Sequence, residues 1–130
     1  MNYLKEMAES GYNMHTIGPF HRFMIPHLFR KYGIGRNESV VDIGAGQGHC
    51  LIPLKEAGFS NLTAIDVDDY NFDIFRERFG FSCHMCDVEK AELPLSSGSV
   101  AGVICFHLIE HLNSPQHLLT EIYRVLRGGG

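Results

Sequence analysis

The stretch Val40-Val41-Asp42-Ile43-Gly44-Ala45-Gly46-Gln47-Gly48 constrains this chain more than any other. An apolar run takes in one acid and passes at once into glycines at every second position. The run reads as a buried strand, the glycines as a tight turn, and the apolar residues from Leu51 as the helix behind it. Glycine lets a main chain approach a ligand more closely than any residue with a Cβ. The free N–H groups where the next helix starts are expected to face that ligand. A strand, glycine turn and helix in this order predict an α/β fold with a small-molecule cradle at the strand tip.

Two nucleotide cofactors compete for such a turn. A dinucleotide site calls for G-x-G-x-x-G/A with the pyrophosphate against the helix start. Counted from Gly44, the last small position is His49, and Asp42 would repel a pyrophosphate. An acid suits a ligand that carries a cation, and S-adenosylmethionine has an ammonium, a sulfonium and no phosphate. Further acids follow in order. Asn61 to Asp66 reads as a second strand closing on Asp66, where an acid can accept the ribose hydroxyls. Phe81 to Cys86 reads as a third strand, with Asp87 placed to reach an adenine amino group and Val88 to cover the ring. Asp68 and Asp69 fall past the second strand and are expected to cap a helix near residues 70–79.

In combination these residues resemble the class I S-adenosylmethionine-dependent methyltransferases, in particular the methyltransferase-11-like group. The resemblance is carried by Val41 to Gly48, by Ala64-Ile65-Asp66-Val67, and by Cys86-Asp87-Val88-Glu89 with Leu93-Pro94-Leu95. It continues through Phe106-His107-Leu108-Ile109-Glu110-His111-Leu112 to Glu121-Ile122-Tyr123-Arg124-Val125-Leu126-Arg127. It implies a Rossmann-like doubly wound sheet, S-adenosylmethionine as cofactor with S-adenosylhomocysteine as product, and a methyltransferase activity toward a small-molecule acceptor. Asp42 and the backbone of Gly44, Ala45 and Gly46 would hold the methionine end. Asp66, flanked by Val67, would take the ribose, and Asp87 with Val88 the adenine; Cys86 and Phe106 complete the expected cofactor set. Family members often have Phe-Asp where this chain has Val100-Ala101, and Pro-Gly-Gly where it has Gly128-Gly129-Gly130.

The resemblance divides the chain into an N-terminal helical segment, residues 1–36, and an S-adenosylmethionine-binding Rossmann-like domain, residues 37–130. That domain is expected to be incomplete, because the family's sheet has seven strands and the C-terminal ones would follow Gly130. With strand order 3-2-1-4-5, the fourth strand, Val103 to Phe106, would have nothing beside it. Either further chain completes the sheet, or two copies pair along that edge, or the domain is a small complete one whose last strand is protected by the helix from Ser114. Two other functions compete. A domain that only senses or scaffolds the cofactor is disfavoured by the intact acids and glycines, and a nicotinamide-dependent oxidoreductase by Asp42 and His49.

Composition fits a globular cytoplasmic domain, with 45% hydrophobic and 20% charged residues. A net charge of −4 counts against nonspecific nucleic-acid binding. No apolar run approaches the roughly 20 residues of a membrane span. Cys83-x-x-Cys86 has metal-ligand spacing, yet no second pair follows and a strand would point the two to opposite faces, so no metal is expected. Cys50 and Cys105 read as small core residues.

His107 leaves the fourth strand beside the crevice and is the candidate general base, while His111 fits a helix-turn arrangement better. Phe20, Phe23, Met24, Leu28 and Phe29 predict an amphipathic helix, begun or kinked at Pro26, that packs on the sheet. From that segment Tyr12, His15, His21 or Arg22 could reach the ligand. A closing helix is expected to start with Ser114 as cap and Pro115 in its first turn, and to stop at Gly128. Leu118, Leu119, Ile122, Val125 and Leu126 would form its buried face.

Overall fold

The computed structural model describes residues 17–128. Along the chain come α1 (Pro19–Lys31), β1 (Val40–Ile43), α2 (Leu51–Glu56) and β2 (Leu62–Asp66). Then follow α3 (Phe72–Ile74), continued by a π-type turn over Phe75–Phe79, and β3 (Ser82–Met85). β4 (Gly102–Ile104), a 3-10 turn (Ile109–His111) and α4 (Gln116–Val125) complete the order. Among the described residues no helix is long and apolar enough to cross a membrane.

The four strands are parallel and ordered β3-β2-β1-β4, the expected order as far as it goes. Every residue of β1 and β2 is buried, which explains why both read as nearly continuous apolar runs: helices cover both faces of the sheet. Strand alternation sorts the side chains into two cores. Val40 and Ala64 pack with Ile25, Leu51, Leu54 and Phe75 on one face. Val41, Ile43 and Ile65 pack with Val100, Leu118 and Val125 on the other. Cys83 joins the first core and Cys86 the second, so the pair does point to opposite faces.

Several local expectations need correction. Helix α1 starts at Pro19 and runs through Pro26. Of its residues Ile25 and Pro26 are the buried ones, and Phe29 meets the Phe59 ring edge-on, whereas Phe20, Phe23 and Met24 are exposed. The helix is rotated so that Ile25 and Phe29, one turn apart, face the core. Neither Asp68 nor Asp69 caps α3 with its side chain. Its N-cap is Asn71, and Asp69 supplies only a carbonyl to the Phe72 N–H (3.0 Å). Ser114 likewise makes no cap bond, and Pro115 takes the N-cap position of α4.

Helix α4 ends at Val125, ahead of Gly128, because Leu126 turns extended and forms a parallel bridge with Val100. Val100 N–H donates to Val125 O (2.9 Å) and Arg127 N–H to Val100 O (2.8 Å). The chain after α4 thus lies beside the approach to β4, where nothing was expected. β4 itself spans Gly102–Ile104 and not Val103 to Phe106. On α4, Leu119 is exposed and Glu121 is buried. The Glu121 carboxylate accepts the Leu93 N–H (2.7 Å), and Arg124 donates to Glu121, Leu93 O and Leu95 O (2.8–3.0 Å). This clamp docks the 93–95 loop on the helix and holds the Glu121 carboxyl below its usual range, chiefly through the Arg124 hydrogen bond.

Gly102 shows how tightly α1 sits on the sheet. A Cβ there would lie 2.6 Å from Phe29 Cε1 and 3.0 Å from Ile34 Cδ1. Gly102→Ala is expected to cost about 1–3 kcal/mol through overpacking. Thermal denaturation should show the loss, and Phe29→Leu in the same chain should recover part of it.

Candidate cofactor site

The cradle begins where β1 stops. Ile65 O accepts the N–H of Gly44 (2.8 Å) and of Ala45 (3.2 Å), so the chain leaves β1 bound to the end of β2. Gly44, Gly46 and Gly48 all have positive φ, a conformation that side chains resist. At Gly46 the nearest atom to an added Cβ would be 4.0 Å away, which leaves this backbone open to a ligand. At Gly48 a Cβ would meet Ile52 Cδ1 at 2.9 Å and Phe75 Cε1 at 3.1 Å, so that glycine also serves packing.

The turn is braced from β2. Gly46 N–H donates to Asp66 Oδ2 (2.9 Å), and Asn71 Nδ2 donates to Gly46 O (2.9 Å). Asp66 Oδ1 also accepts the Asp68 N–H (3.4 Å). Both Asp66 and Asn71 are buried.

A cavity of about 250 Å³ opens at this turn, lined by Asp42, Gly44, Ala45, Gly46, Gln47, His49, Cys50, Phe106, His107 and His21. It brings together Asp42, Gly44, Ala45, Gly46, Phe106 and His107 from the predicted set. Asp66, Val67, Cys86, Asp87 and Val88 do not line it. Asp66 lies behind the turn, Val67 and Asp87 are exposed, and Cys86 and Val88 are buried in the second core. Asp87 Oδ1 accepts the Glu89 N–H (3.2 Å).

His21 reaches the cavity from α1, with its ring 5.8 Å from that of His49. Arg22 turns away to pair with Glu56. Tyr12 and His15 lie outside the described residues. Gln47, His49 and Cys50 were not foreseen as lining residues. Their signal was their place in or directly after the alternating glycines, where backbone bends turn side chains toward the concave side.

Electrostatics single out Asp42. It is 3% exposed at the end of β1, and burial, with the nearby Asp66 second, raises its carboxyl to about 8. A buried acid lining a cavity, with a second acid close behind the turn, favours a cation in that cavity. Burial also keeps the nearby thiols in their protonated form. Burial and then Asp42 push Cys50 up to about 12, and burial, Asp42 and Glu110 push Cys105 up to about 11. His107 has φ +56, a left-handed conformation that costs free energy for a non-glycine residue and directs the chain out of β4 across the cavity. Among the described residues no group of three or more His, Cys, Asp or Glu side chains is arranged to hold a metal ion.

A methyltransferase-domain family pattern matches residues 41–130, more than half the chain. The chain belongs to this methyltransferase-domain family. Among curated relatives, the ribosomal RNA small subunit methyltransferase A of a Synechococcus strain is 32% identical over 96 residues, covering 71% of this chain and 35% of the relative. An S-adenosylmethionine-dependent methyltransferase of Mycobacterium tuberculosis is 33% identical over 91 residues, covering 70% of this chain and 32% of the relative. The chain therefore spans about a third of the length of these relatives. A solved coclaurine N-methyltransferase bound to N-methylheliamine and S-adenosylhomocysteine shares the fold. Its TM-score is 0.66 at 19% identity, with 82% of this chain and 32% of that one covered.

Within this methyltransferase domain the ionisation of Asp42 has a measurable consequence. Unfolded, its carboxyl gives up a proton near 3.8; folded, it holds the proton to about 8. Between those values the native state binds the extra proton, so the contribution of Asp42 to stability falls as pH rises. Asp42→Asn is therefore expected to melt higher than the parent at pH 7.5, by an amount on the order of a few kcal/mol. The gap should close as the pH falls toward 4, which melting curves at both pH values would reveal.

Proposed function

We propose that this chain is the cofactor-binding part of an S-adenosylmethionine-dependent methyltransferase, with residues 37–130 as the binding unit. The observation that carries the proposal is Asp42, a buried carboxyl in the cavity beside an open glycine backbone, raised to about 8 by burial and by the nearby Asp66. Asp42 suits the ammonium of an amino-acid group, and the exposed turn at Gly46 lets the ligand lie against the main chain. Asp66 at the tip of β2 is assigned to the ribose hydroxyls. Asp87 and Val88, beyond the tip of β3, are assigned to the adenine. The relatives named as S-adenosylmethionine-dependent methyltransferases and the neighbour holding S-adenosylhomocysteine support this choice of cofactor.

Bound S-adenosylmethionine supplies a methyl carbon that is already electrophilic through its sulfonium. The work left to the chain is to orient the ligand, exclude water and accept a proton where the acceptor brings one. His107, held across the cavity by its left-handed backbone, is assigned that last role. Phe106 presents an apolar wall beside it. The acceptor we assign to it is a small molecule.

Calorimetric titration with S-adenosylhomocysteine tests the assignment. Binding an ammonium should ionise Asp42, so at pH 7 complex formation is expected to release close to one proton. Repeating the titration in buffers of different ionisation enthalpy measures that number, and it should fall toward zero at pH 9.5. Binding of a nicotinamide dinucleotide in place of the adenosyl ligand would overturn the proposal.

Asp66→Ala removes a charged acceptor for the ribose, worth roughly 1.5–3 kcal/mol per hydrogen bond at most. Asp68→Ala should lose far less, and equal losses at the two positions would place the ribose elsewhere.

A further inference from the structure

Asp87 is an exposed acid on a segment, residues 86–99, through which no helix or strand runs. The sheet ladder therefore does not fix it. Its carboxylate and its carbonyl are nevertheless both bonded. Glu89 N–H donates to Asp87 Oδ1 (3.2 Å), while the N–H groups of Lys90 and Ala91 donate to Asp87 O (3.1 and 2.9 Å). Two of these partners are held in turn from elsewhere. The Glu89 carboxylate accepts the N–H of Asn113, and a ring nitrogen of His117 donates to Ala91 O (2.8 Å). Asp87 is thus tied to α4 and its approach through two separate relays, one at residue 89 and one at residue 91.

The tie repeats down the helix. Glu121 takes the Leu93 N–H, and Arg124 reaches Leu93 O and Leu95 O. His117, Glu121 and Arg124 follow one another at steps of four and three, a single stripe on α4, with Asn113 four residues ahead. The residues they grip, 89, 91, 93 and 95, follow at steps of two, the spacing of an extended chain. A helix stripe therefore holds the main chain of this segment in register.

The two ends of the stripe do different work. Glu121 and Arg124 dock Leu93 and Leu95 on the second core. Glu89 and Ala91 lie outside both cores, and hydrogen bonds at such surface positions add little to stability. What they do set is the place and direction of the Asp87 carboxylate. An exposed acid that must be ordered on binding costs affinity, and one already oriented does not.

We propose that Glu89 and His117 are positioning residues for the adenine end of the ligand, acting through the bonds that Glu89 and Ala91 make to Asp87. This rests on the assignment of Asp87 to the adenine made above.

The test is calorimetry on the 130-residue chain with S-adenosylhomocysteine and with 5′-methylthioadenosine, which keeps the adenine and ribose but lacks the amino-acid group. His117→Ala and Glu89→Ala should each weaken both ligands roughly two- to tenfold. Glu89→Gln, which keeps an acceptor for the Asn113 N–H, should recover most of that loss. The deciding readout is a double-mutant cycle. Once Asp87→Ala has removed the carboxylate, adding His117→Ala or Glu89→Ala should cost no further affinity, whereas a general effect on the fold would persist. Melting curves of the single variants should stay within the range of ordinary surface substitutions.

Single variants that bind as wild type does, in a protein where Asp87→Ala binds more weakly, would overturn this inference alone. So would a His117→Ala loss that is as large without Asp87 as with it. An Asp87→Ala variant that binds as wild type does would remove the adenine assignment and this inference with it. Failure of wild type to bind either adenosyl ligand would remove the cofactor reading as a whole. Should His117→Ala fail to fold, Glu89→Ala carries the same cycle.

Discussion

A single carbonyl oxygen organises the region on which the rest depends. Ile65 O takes the N–H groups of both Gly44 and Ala45, so the last residue pair of the β1–β2 ladder continues directly into the turn. From there Asp66 secures the Gly46 N–H and Asn71 the Gly46 carbonyl. The glycine turn is therefore held on both sides of Gly46 by side chains from the end of the next strand and from the residue that precedes the helix after it. A loop with this many glycines would otherwise lose much conformational entropy on ordering. Hydrogen bonds to buried partners offset that cost and leave one face of the backbone bare.

The bare face is also where the protein gives up stability. Asp42 occupies a position that an apolar residue would fill more favourably, and two buried nitrogens beside it lack partners. Such violations of core rules concentrate at functional sites. The second core shows the opposite case. Glu121 is also a buried acid, yet Arg124 and the Leu93 N–H satisfy it, and its carboxyl shifts down instead of up. The same residue class thus serves as a brace on one side of the sheet and as an unfilled demand on the other.

β1 and β2 were legible in the sequence because both faces of the sheet are buried there. Strands buried on both faces are mostly apolar, and these two close at a glycine or an acid. β3 is mostly exposed, and β4 runs on into Cys105 with no such marker, so its limits were misread. Helix boundaries were less legible. Asn71 was passed over as the start of α3 because its side chain is committed to Gly46, a contact between residues far apart in the chain. The end of α4 was misread for a related reason: Leu126 leaves the helix to pair with Val100, and no local stop signal marks that choice. On α1 the aromatic residues suggested a buried face, but ring content does not fix rotation, and packing against α2 selected Ile25. At the site, Asp42 and the glycines announced themselves, whereas Gln47 and His49 looked like mere interruptions of a glycine pattern.

The strand order carries a consequence for how the chain assembles as it is made. β1 can pair with β2, and β2 with β3, soon after each is synthesised, because neighbours in the sheet are neighbours in sequence. The other edge of β1 must wait for Gly102, the residue opposite Val40. At ribosomal speeds of about 5–20 residues per second, that edge stays unpaired for several seconds. During that interval the nascent chain exposes a strand that is apolar but for Asp42, and the first residue pair to close it lies beside Phe29 and Ile34. The helix ahead of the sheet thus prepares the seat into which the last strand of the described fold must dock.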